Sequence, residues 1–318
     1  MEYLILDKKQ RVNTENENNI ATTNIRLMEE LDKKNIPYTL AYFDELEFEF
    51  INGETLIKAK GMDIRKYSHI LLRGHDLHNE MQYHFKRYIV EYIDQHNLKN
   101  PESKIYIQNS KAIKKLPYYN KIAFALICSQ NDIPYFNSYF RTDGNYSAHR
   151  EVLNAFPLIM KDYSGLNRLE MVNGEEKVKK NVFKIDSEDG YRQEALKDLD
   201  HSRMFIQEFS DSGEDMRIFV KMGEVIAGWR RKSTDSFMTV SKGEYLPYNE
   251  PEEKIKAFAQ NVARIFEADF IAVDIMMMRN KPLLQEISLH PGFTAYETKT
   301  GNNPVNIADA IITAFENN

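Results

Sequence analysis

Cysteine is nearly absent from this chain: Cys128 is the single one in 318 residues. One thiol excludes internal disulfides and any cysteine-rich zinc site. Its neighbours Ala125, Leu126 and Ile127 predict a buried, unreactive side chain. Long apolar runs are also lacking, and none approaches the roughly 20 residues needed to span a bilayer. The start, Met1-Glu-Tyr-Leu-Ile-Leu-Asp7, is too short and too acidic for a signal peptide. Positive charge is not in excess. Lys and Arg number 42 against 48 Asp and Glu, a net charge of −6 with a pI near 5.8, which argues against a general nucleic-acid binder. These absences predict a cytoplasmic protein with no nucleic-acid or membrane partner.

What is present is ordinary globular composition, 42% hydrophobic and 28% charged, at a length that suits two or three lobes. Residues 1–108 alternate strand and helix: strand Tyr3–Leu6, helix Ile20–Lys34 with Ile25, Met28 and Leu31 on one face, strand Tyr38–Phe43, strand His69–Leu72, helix Met81–Gln95 and strand Lys104–Gln108. A hairpin turns at Asn52-Gly53. That alternation predicts a parallel sheet covered by helices. Residues 109–200 are smaller and more polar. They hold a helix over Tyr118–Asn131 with Ile122, Ala125 and Leu126 inward, strand Tyr135–Phe140, helix Tyr146–Asn154 and strand Pro157–Lys161. Leu169–Val172, an Asn173-Gly174 turn signal and a charged run, Glu175–Lys180, that reads as a solvated turn or loop come next. Residues 201–318 carry strands Met204–Phe209, Met216–Lys221 and Val225–Arg230, a helix at Glu252–Phe266, and a terminal helix at Val305–Phe315.

The chemistry concentrates in Phe270–Leu289. Two β-rich apolar runs flank Arg279-Asn280-Lys281, which reads as a hairpin. A three-residue loop there sets Asp274 opposite Glu286; a two-residue loop would put them on opposite faces. Like charges opposed on a sheet repel, and a divalent cation between them removes the penalty. Hard carboxylate oxygens suit Mg²⁺ completed by water and substrate phosphates. The alternative is two solvated acids on an exposed face.

Basic residues answer these acids. Lys161 ends the apolar strand Pro157-Leu-Ile-Met160, and Lys121 lies in a first helical turn. Asp215 and Arg217 share one side of a strand, and Arg231 lies on the strand that should pair with it. Arginine suits bidentate capture of phosphate or carboxylate, although a plain cross-strand ion-pair ladder is equally compatible. Arg73, just past strand His69–Leu72, sits where open parallel sheets bind ligands. It could hold a substrate carboxylate, or a helix-facing salt bridge.

In order, these segments resemble the ATP-grasp superfamily, specifically the ribosomal-protein-modification-type α-L-glutamate ligases. The series runs Asn109-Ser-Lys-Ala-Ile113, Asn120-Lys121, Pro157-Leu-Ile-Met-Lys161, Phe205-Ile-Gln-Glu-Phe209, Gly213-x-Asp215-x-Arg217, Arg231 and Val273-Asp274-Ile275. It closes with Glu286-Ile-x-x-x-Pro291-Gly292 and Tyr296-Glu297-x-x-Thr-Gly301. The resemblance implies an α/β ATP-grasp fold over 109–318, as a small lobe at 109–200 and a large lobe at 201–318, behind a pre-ATP-grasp domain at 1–108. By it, Lys121 and Lys161 contact ATP phosphates, and backbone around Gln207, Glu208 and Phe209 reads adenine. Asp215 lies near the ribose or orients Arg217. Arg217 and Arg231 stabilise the transferring phosphoryl group. Asp274 and Glu286 bind Mg²⁺ or Mn²⁺, with Ser288 as a weaker ligand.

The implied activity is ATP-dependent ligation of a carboxylate to an amine, the partners being small molecules or peptides. A homo-oligomer is compatible with this reading. Three positions depart from the family: Ser288 and Thr239 where asparagine is usual, and a phosphate-covering loop, Asp162–Glu170, with only Gly165. Fewer glycines mean fewer close backbone N–H contacts, for which Lys242 or Arg168 would substitute. An ATP-binding pseudo-ligase or a phosphotransferase are the alternatives.

Overall fold

The computed structural model describes residues 1–9, 20–75, 81–116, 120–146, 156–172, 175–193, 196–210, 212–232, 244–300 and 304–314. The expected helix Tyr146–Asn154, the Asn173-Gly174 turn, Thr239 and Lys242 fall outside the described residues, apart from Tyr146.

The N-terminal alternation folds as expected. Strands Tyr38–Tyr42, Tyr3–Asp7, His69–Leu72 and Tyr106–Ile107 lie side by side in that order, all parallel. Every residue of Tyr3–Asp7 and of His69–Leu72 is buried, as a sheet covered on both faces requires. Helices Thr22–Lys33 and Met81–Lys99 link the strands. Between them the hairpin Leu46–Ile51/Glu54–Ala59 turns at Asn52 and Gly53, with φ of 53° and 79°; two positive φ values match the right-handed twist of the flanking strands.

Successive residues of these strands point into two different cores. Leu4, Leu6, Ile70 and Leu72 join Ile218, Val273, Ile275 and Ile287 in one cluster. Tyr3, Ile5 and Leu71 join Phe219, Phe270, Ile311 and Ile312 in another. The N-terminal sheet is thereby packed into the C-terminal part of the chain. Asn109 pins the junction from a left-handed backbone (φ 59°). Its Nδ2 donates to the carbonyls of Phe270 and Leu289, both at 2.7 Å, and its Oδ1 accepts from the amides of Asp269 and Phe270.

The middle of the chain has a core of its own. Strands Val182–Ile185, Leu158–Asp162, Met204–Glu208 and Ser138–Phe140 form an antiparallel sheet over Leu158, Met160, Ile185, Met204 and Ile206. Here the charged run is a strand rather than a loop: Glu175–Lys180 pairs with Asn167–Val172. Backbone pairing needs no apolar side chain, so the charge content of the run concealed it. The helix that follows Asn120 also differs from expectation. It runs Lys121–Gln130 and buries Lys121, Phe124, Ile127 and Cys128, while Ile122 and Leu126 are exposed. Phe124 packs on Phe266, and this rotation turns Lys121 inward. Cys128 is fully buried, as its neighbours implied, and desolvation pushes its thiol up to about 12.

The C-terminal sheet has five antiparallel strands in the order Glu244–Pro247, Glu224–Lys232, Glu214–Lys221, Phe270–Met278 and Lys281–Ser288. Helix Glu253–Phe266 covers one face through Ile255, Ala259, Val262, Ala263 and Phe266. Polar residues on the other face build the site.

Candidate active site

Asp274 and Glu286 are direct cross-strand partners, but the turn is not the expected one. The loop has two residues, Arg279 and Asn280, at φ of 49° and 62°, and Met278 pairs with Lys281. Such a turn suits a tight hairpin, yet continued unbroken it would oppose Gln285 to Asp274 and send Glu286 to the helix-covered face. The pairing instead steps from Ile275–Leu284 to Asp274–Glu286. Gln285 is the extra residue of a β-bulge, a device that re-aims side chains. Both acids are thus on the polar face because of an irregularity in the strand.

Arg217 is opposite Asp274 on the next strand and grips it with two hydrogen bonds, Nε to Oδ1 and Nη2 to Oδ2, each 2.7 Å. Asp215, two residues away, adds to the negative charge around Arg217. It pairs with Arg231 across the other neighbour at 2.9 and 2.5 Å. Arg231, Asp215, Arg217 and Asp274 therefore alternate in charge across three strands, and Glu286 adds a second acid on a fourth. Ser288 lies on the same face, opposite Ala272 and two residues from Glu286.

Two lysines arrive from the middle of the chain. Asn120 caps its helix by accepting from the Ala123 amide at 2.8 Å, which fixes Lys121 at the first position. The Lys121 amide bonds the Tyr163 carbonyl, and its ammonium is 3.6 Å from Glu286. Lys161 is 8% exposed and donates to Gln207 Oε1 at 2.6 Å. Burial, reinforced by Lys121 and opposed by Glu286, brings its ammonium down to about 7. Enclosure alone would raise the Glu286 carboxyl, but Lys121, Lys161, Arg217 and Lys180 together hold it below its ordinary value. Five formal cations (these four and Arg231) thus face Asp215, Asp274 and Glu286, a surplus of positive charge that suits a polyphosphate.

The expected adenine segment is partly engaged. Gln207 uses its side chain on Lys161 and on Ser138 Oγ at 3.2 Å. The Glu208 amide donates to the Asn137 carbonyl, and its carboxylate accepts from Asn137 Nδ2 at 2.7 Å. The Phe209 ring lies 5.2 Å beneath the Lys184 ammonium. A hollow of about 400 Å³ lined by Arg230, Tyr248, Glu252 and Met277 opens beside the covering helix, on the opposite sheet face.

Among the described residues no three His, Cys, Asp or Glu side chains converge as a metal cage. Asp274, Glu286 and Ser288 nonetheless supply hard oxygens on one face, and a carboxylate oxygen held by Arg217 retains a second lone pair. That donor set fits Mg²⁺, which keeps most of its shell as water and phosphate oxygen.

Sequence reasoning missed three contributors. Lys180 was read as part of a solvated run. Tyr135 is hydrogen-bonded with Gln207 and bridges to Leu284, and burial raises its hydroxyl. Asp162 organises the glycine-poor loop: its Oδ1 accepts from the amides of Ser164 and Leu166 and from Ser164 Oγ, and its Oδ2 from Arg203. The Asp-x-Ser spacing was the available signal, since Asp side chains commonly bond a backbone two residues on.

This layout has counterparts. Residues 120–315, more than half of the chain, match the RimK-like ATP-grasp domain. The chain belongs to the RimK-like ATP-grasp family. Its match to a probable alpha-L-glutamate ligase of Vibrio atlanticus is 28% identical over 121 residues, covering 37% of this chain and 39% of that protein. A coenzyme gamma-F420-2:alpha-L-glutamate ligase of Methanocaldococcus jannaschii matches at 31% over 112 residues, 34% of this chain and 39% of the other. The chain thus spans about two-fifths of the length of these relatives. Nearly its whole length superposes on the macrocyclase MdnC of Microcystis aeruginosa, solved with its precursor peptide MdnA: TM-score 0.66, 14% identity, 99% and 100% of the two chains covered. The likeness in fold therefore runs the length of the chain, the N-terminal parallel sheet included, and the ATP-grasp domain itself occupies residues 120–315.

Proposed function

We propose that this RimK-like chain is an ATP- and Mg²⁺-dependent ligase that joins a carboxylate to an amine through an acyl phosphate. The observation that carries the reading is the meeting of Lys121 and Lys161 with Arg217, Asp274 and Glu286 on one polar sheet face. The first step moves the γ-phosphoryl group of ATP to a substrate carboxylate and releases ADP. The second lets an amine displace phosphate, giving the amide and a proton.

Lys121 and Lys161 neutralise the phosphate chain, each through a charge-assisted contact. Arg217 and Arg231 are fixed by their carboxylates before the reaction, so they meet charge that develops at the transferring phosphoryl group without reorganising. Asp274, Glu286 and Ser288 would hold the metal, which supplies charge neutralisation on the phosphates. Gln207, Glu208 and Phe209 border the adenine. In this reading residues 1–108 are the pre-ATP-grasp domain, 109–200 the small lobe and 201–318 the large lobe. Mn²⁺ should replace Mg²⁺, and small-molecule or peptide carboxylates and amines are the substrates.

One observation favours a second reading. Asp162 already binds the Ser164 and Leu166 amides, groups that a phosphate-covering loop would otherwise offer. An ATP-binding protein without turnover would share this feature. The deciding measurement is ADP and phosphate release from MgATP against amino acids, dipeptides and cell extract, with mass spectrometry of products. A new amide with stoichiometric ADP supports the ligase; tight ATP binding with no ADP across the panel overturns it.

A further inference from the structure

One row of directly opposed residues crosses all five strands of the polar sheet face. Glu286 opposes Asp274, Asp274 opposes Arg217, Arg217 opposes Trp229, and Trp229 opposes Pro247. A second row beside it runs from Asp215 to Arg231 to Tyr245. Strand by strand, the face therefore changes from acids through arginines to aromatic rings. At about 4.8 Å per strand, Trp229 lies roughly 14 Å from Glu286.

Trp229 is the single tryptophan of the chain. Its ring centroid is 4.6 Å from that of Tyr245, with the two planes 33° apart, and both residues are only partly buried. The pair is held from several sides. Trp229 packs against the core that includes Phe219 and Ala227, and the Arg217 guanidinium lies 5.9 Å from its ring. Arg231 hydrogen-bonds the Tyr245 side chain. From helix Thr294–Lys299, the Lys299 ammonium stands 4.9 Å from the Tyr245 centroid. Two half-open rings are thus fixed to both arginines of the site, where an ordinary core pair would be closed over by its neighbours.

The charges assign the two ends of these rows. Lys121 and Lys161 both act on Glu286, so a phosphate chain is drawn to that end. In the ligase reading Arg217 and Arg231 meet the γ-phosphoryl group in the middle. The carboxylate that receives it approaches from the side away from ADP, because attacking and leaving oxygens are roughly in line. The atoms behind that carboxylate then lie over Trp229 and Tyr245, whose faces and edges suit offset or edge-to-face packing of another ring.

We propose that Trp229 and Tyr245 form a subsite for an apolar, planar side chain next to the carboxylate that is activated, so that aromatic acids are preferred over small or acidic ones. The subsite rests on the ligase reading for its role. Trp229 reports on it directly, so the full wild-type chain is titrated and no variant has to fold. Its fluorescence, excited beyond the tyrosine band, is followed with Mg²⁺ and a non-hydrolysable ATP analogue present. The probes are N-acetyl-L-phenylalanine, the uncharged amide of that acid, N-acetylglycine and N-acetyl-L-glutamate. ADP release from MgATP is measured with the same acids, hydroxylamine serving as the amine.

N-acetyl-L-phenylalanine should give a saturable change, half-complete at a concentration at least about tenfold below that of either other acid, the contrast that burial of one aromatic ring supports. Equal half-saturation among the acids overturns the proposal, as does an amide that binds as well as its acid. So does the lack of any saturable change by about 50 mM, weaker than a millimolar site. The two readings fail separately. Preference for the aromatic acid without ADP release removes the ligase and keeps the subsite. ADP release as ready with N-acetylglycine as with N-acetyl-L-phenylalanine keeps the ligase and removes the subsite.

Discussion

Arg217 holds Asp274 edge-on, with both carboxylate oxygens 2.7 Å from guanidinium nitrogens. The pair is carried by directly opposed residues of neighbouring strands. The same arginine stacks its guanidinium 5.9 Å from the Trp229 ring. Its geometry is therefore set by the sheet before any substrate arrives. A fixed cation of this kind acts on charge that develops late in a reaction rather than on ground-state binding.

We accordingly expect Arg217→Ala to lower the rate of ADP release by about 10²–10³-fold, with ATP affinity little changed. Arg217→Lys should lose nearly as much, because an ammonium cannot bridge both Asp274 oxygens. Steady-state kinetics beside calorimetric ATP titration separate the two effects. A lysine variant with near-normal kcat would show that a point charge suffices.

Metal dependence should follow the opposed acids. Asp274→Ala and Glu286→Ala are each expected to abolish metal-dependent turnover. Ser288→Asn should lower the Mg²⁺ concentration at half-maximal ADP release, since an amide oxygen reaches further from the same strand position. A requirement that is unchanged or raised in Ser288→Asn would remove Ser288 from the metal's shell.

If Lys161 contacts an ATP phosphate as proposed, ATP binding should be pH-dependent. The ordinary lysine value is 10.5, and burial brings Lys161 to about 7 in the folded chain. Between those values the unfolded chain binds the proton and the folded one does not, so this group's contribution to stability rises with pH across that window. A phosphate bound there would restore the proton. Near pH 8.5, ATP binding should therefore take up close to one proton, and affinity should weaken by about tenfold per pH unit above 7. Calorimetry in buffers of different ionisation enthalpy reads the uptake directly. If Lys161→Met takes up as many protons as the parent, another group is responsible.

Asn109 should matter for stability alone. Its side chain satisfies two carbonyls and two amides between distant segments. Asn109→Ala loses these and places alanine at positive φ, a cost of about 3 kcal/mol or more and a Tm lower by roughly 5–10 °C. Asn109→Gly keeps the backbone and loses only the hydrogen bonds. Equal thermal stability of Asn109→Gly and the parent would mean that the amide contributes nothing.

Much of this was legible in the residues themselves. Largely apolar Tyr3–Leu6 and His69–Leu72, alternating with helical segments, point to a covered parallel sheet, because strands buried on both faces need helices on each side. The apolar neighbours of Cys128 gave its burial. The acids of the C-terminal hairpin and most of the cations near them could be named from residue type and the order of the motifs, though not their register.

What only the tertiary structure decided concerns choices that local sequence leaves degenerate. Arg279-Asn280 makes a two-residue turn, and the Gln285 bulge then returns Glu286 to the polar face; neither is encoded in the apolar pattern. Asp215 could have served Arg217 or Arg231, and strand pairing chose Arg231. Amphipathic spacing pointed Ile122 and Leu126 inward, but packing of Phe124 on Phe266 turned that helix the other way. Arg73 reaches Pro291 across 218 positions of the chain. Periodicity and turn chemistry act over a few residues, whereas pairings of this length are fixed only when the sheets close on their shared cores.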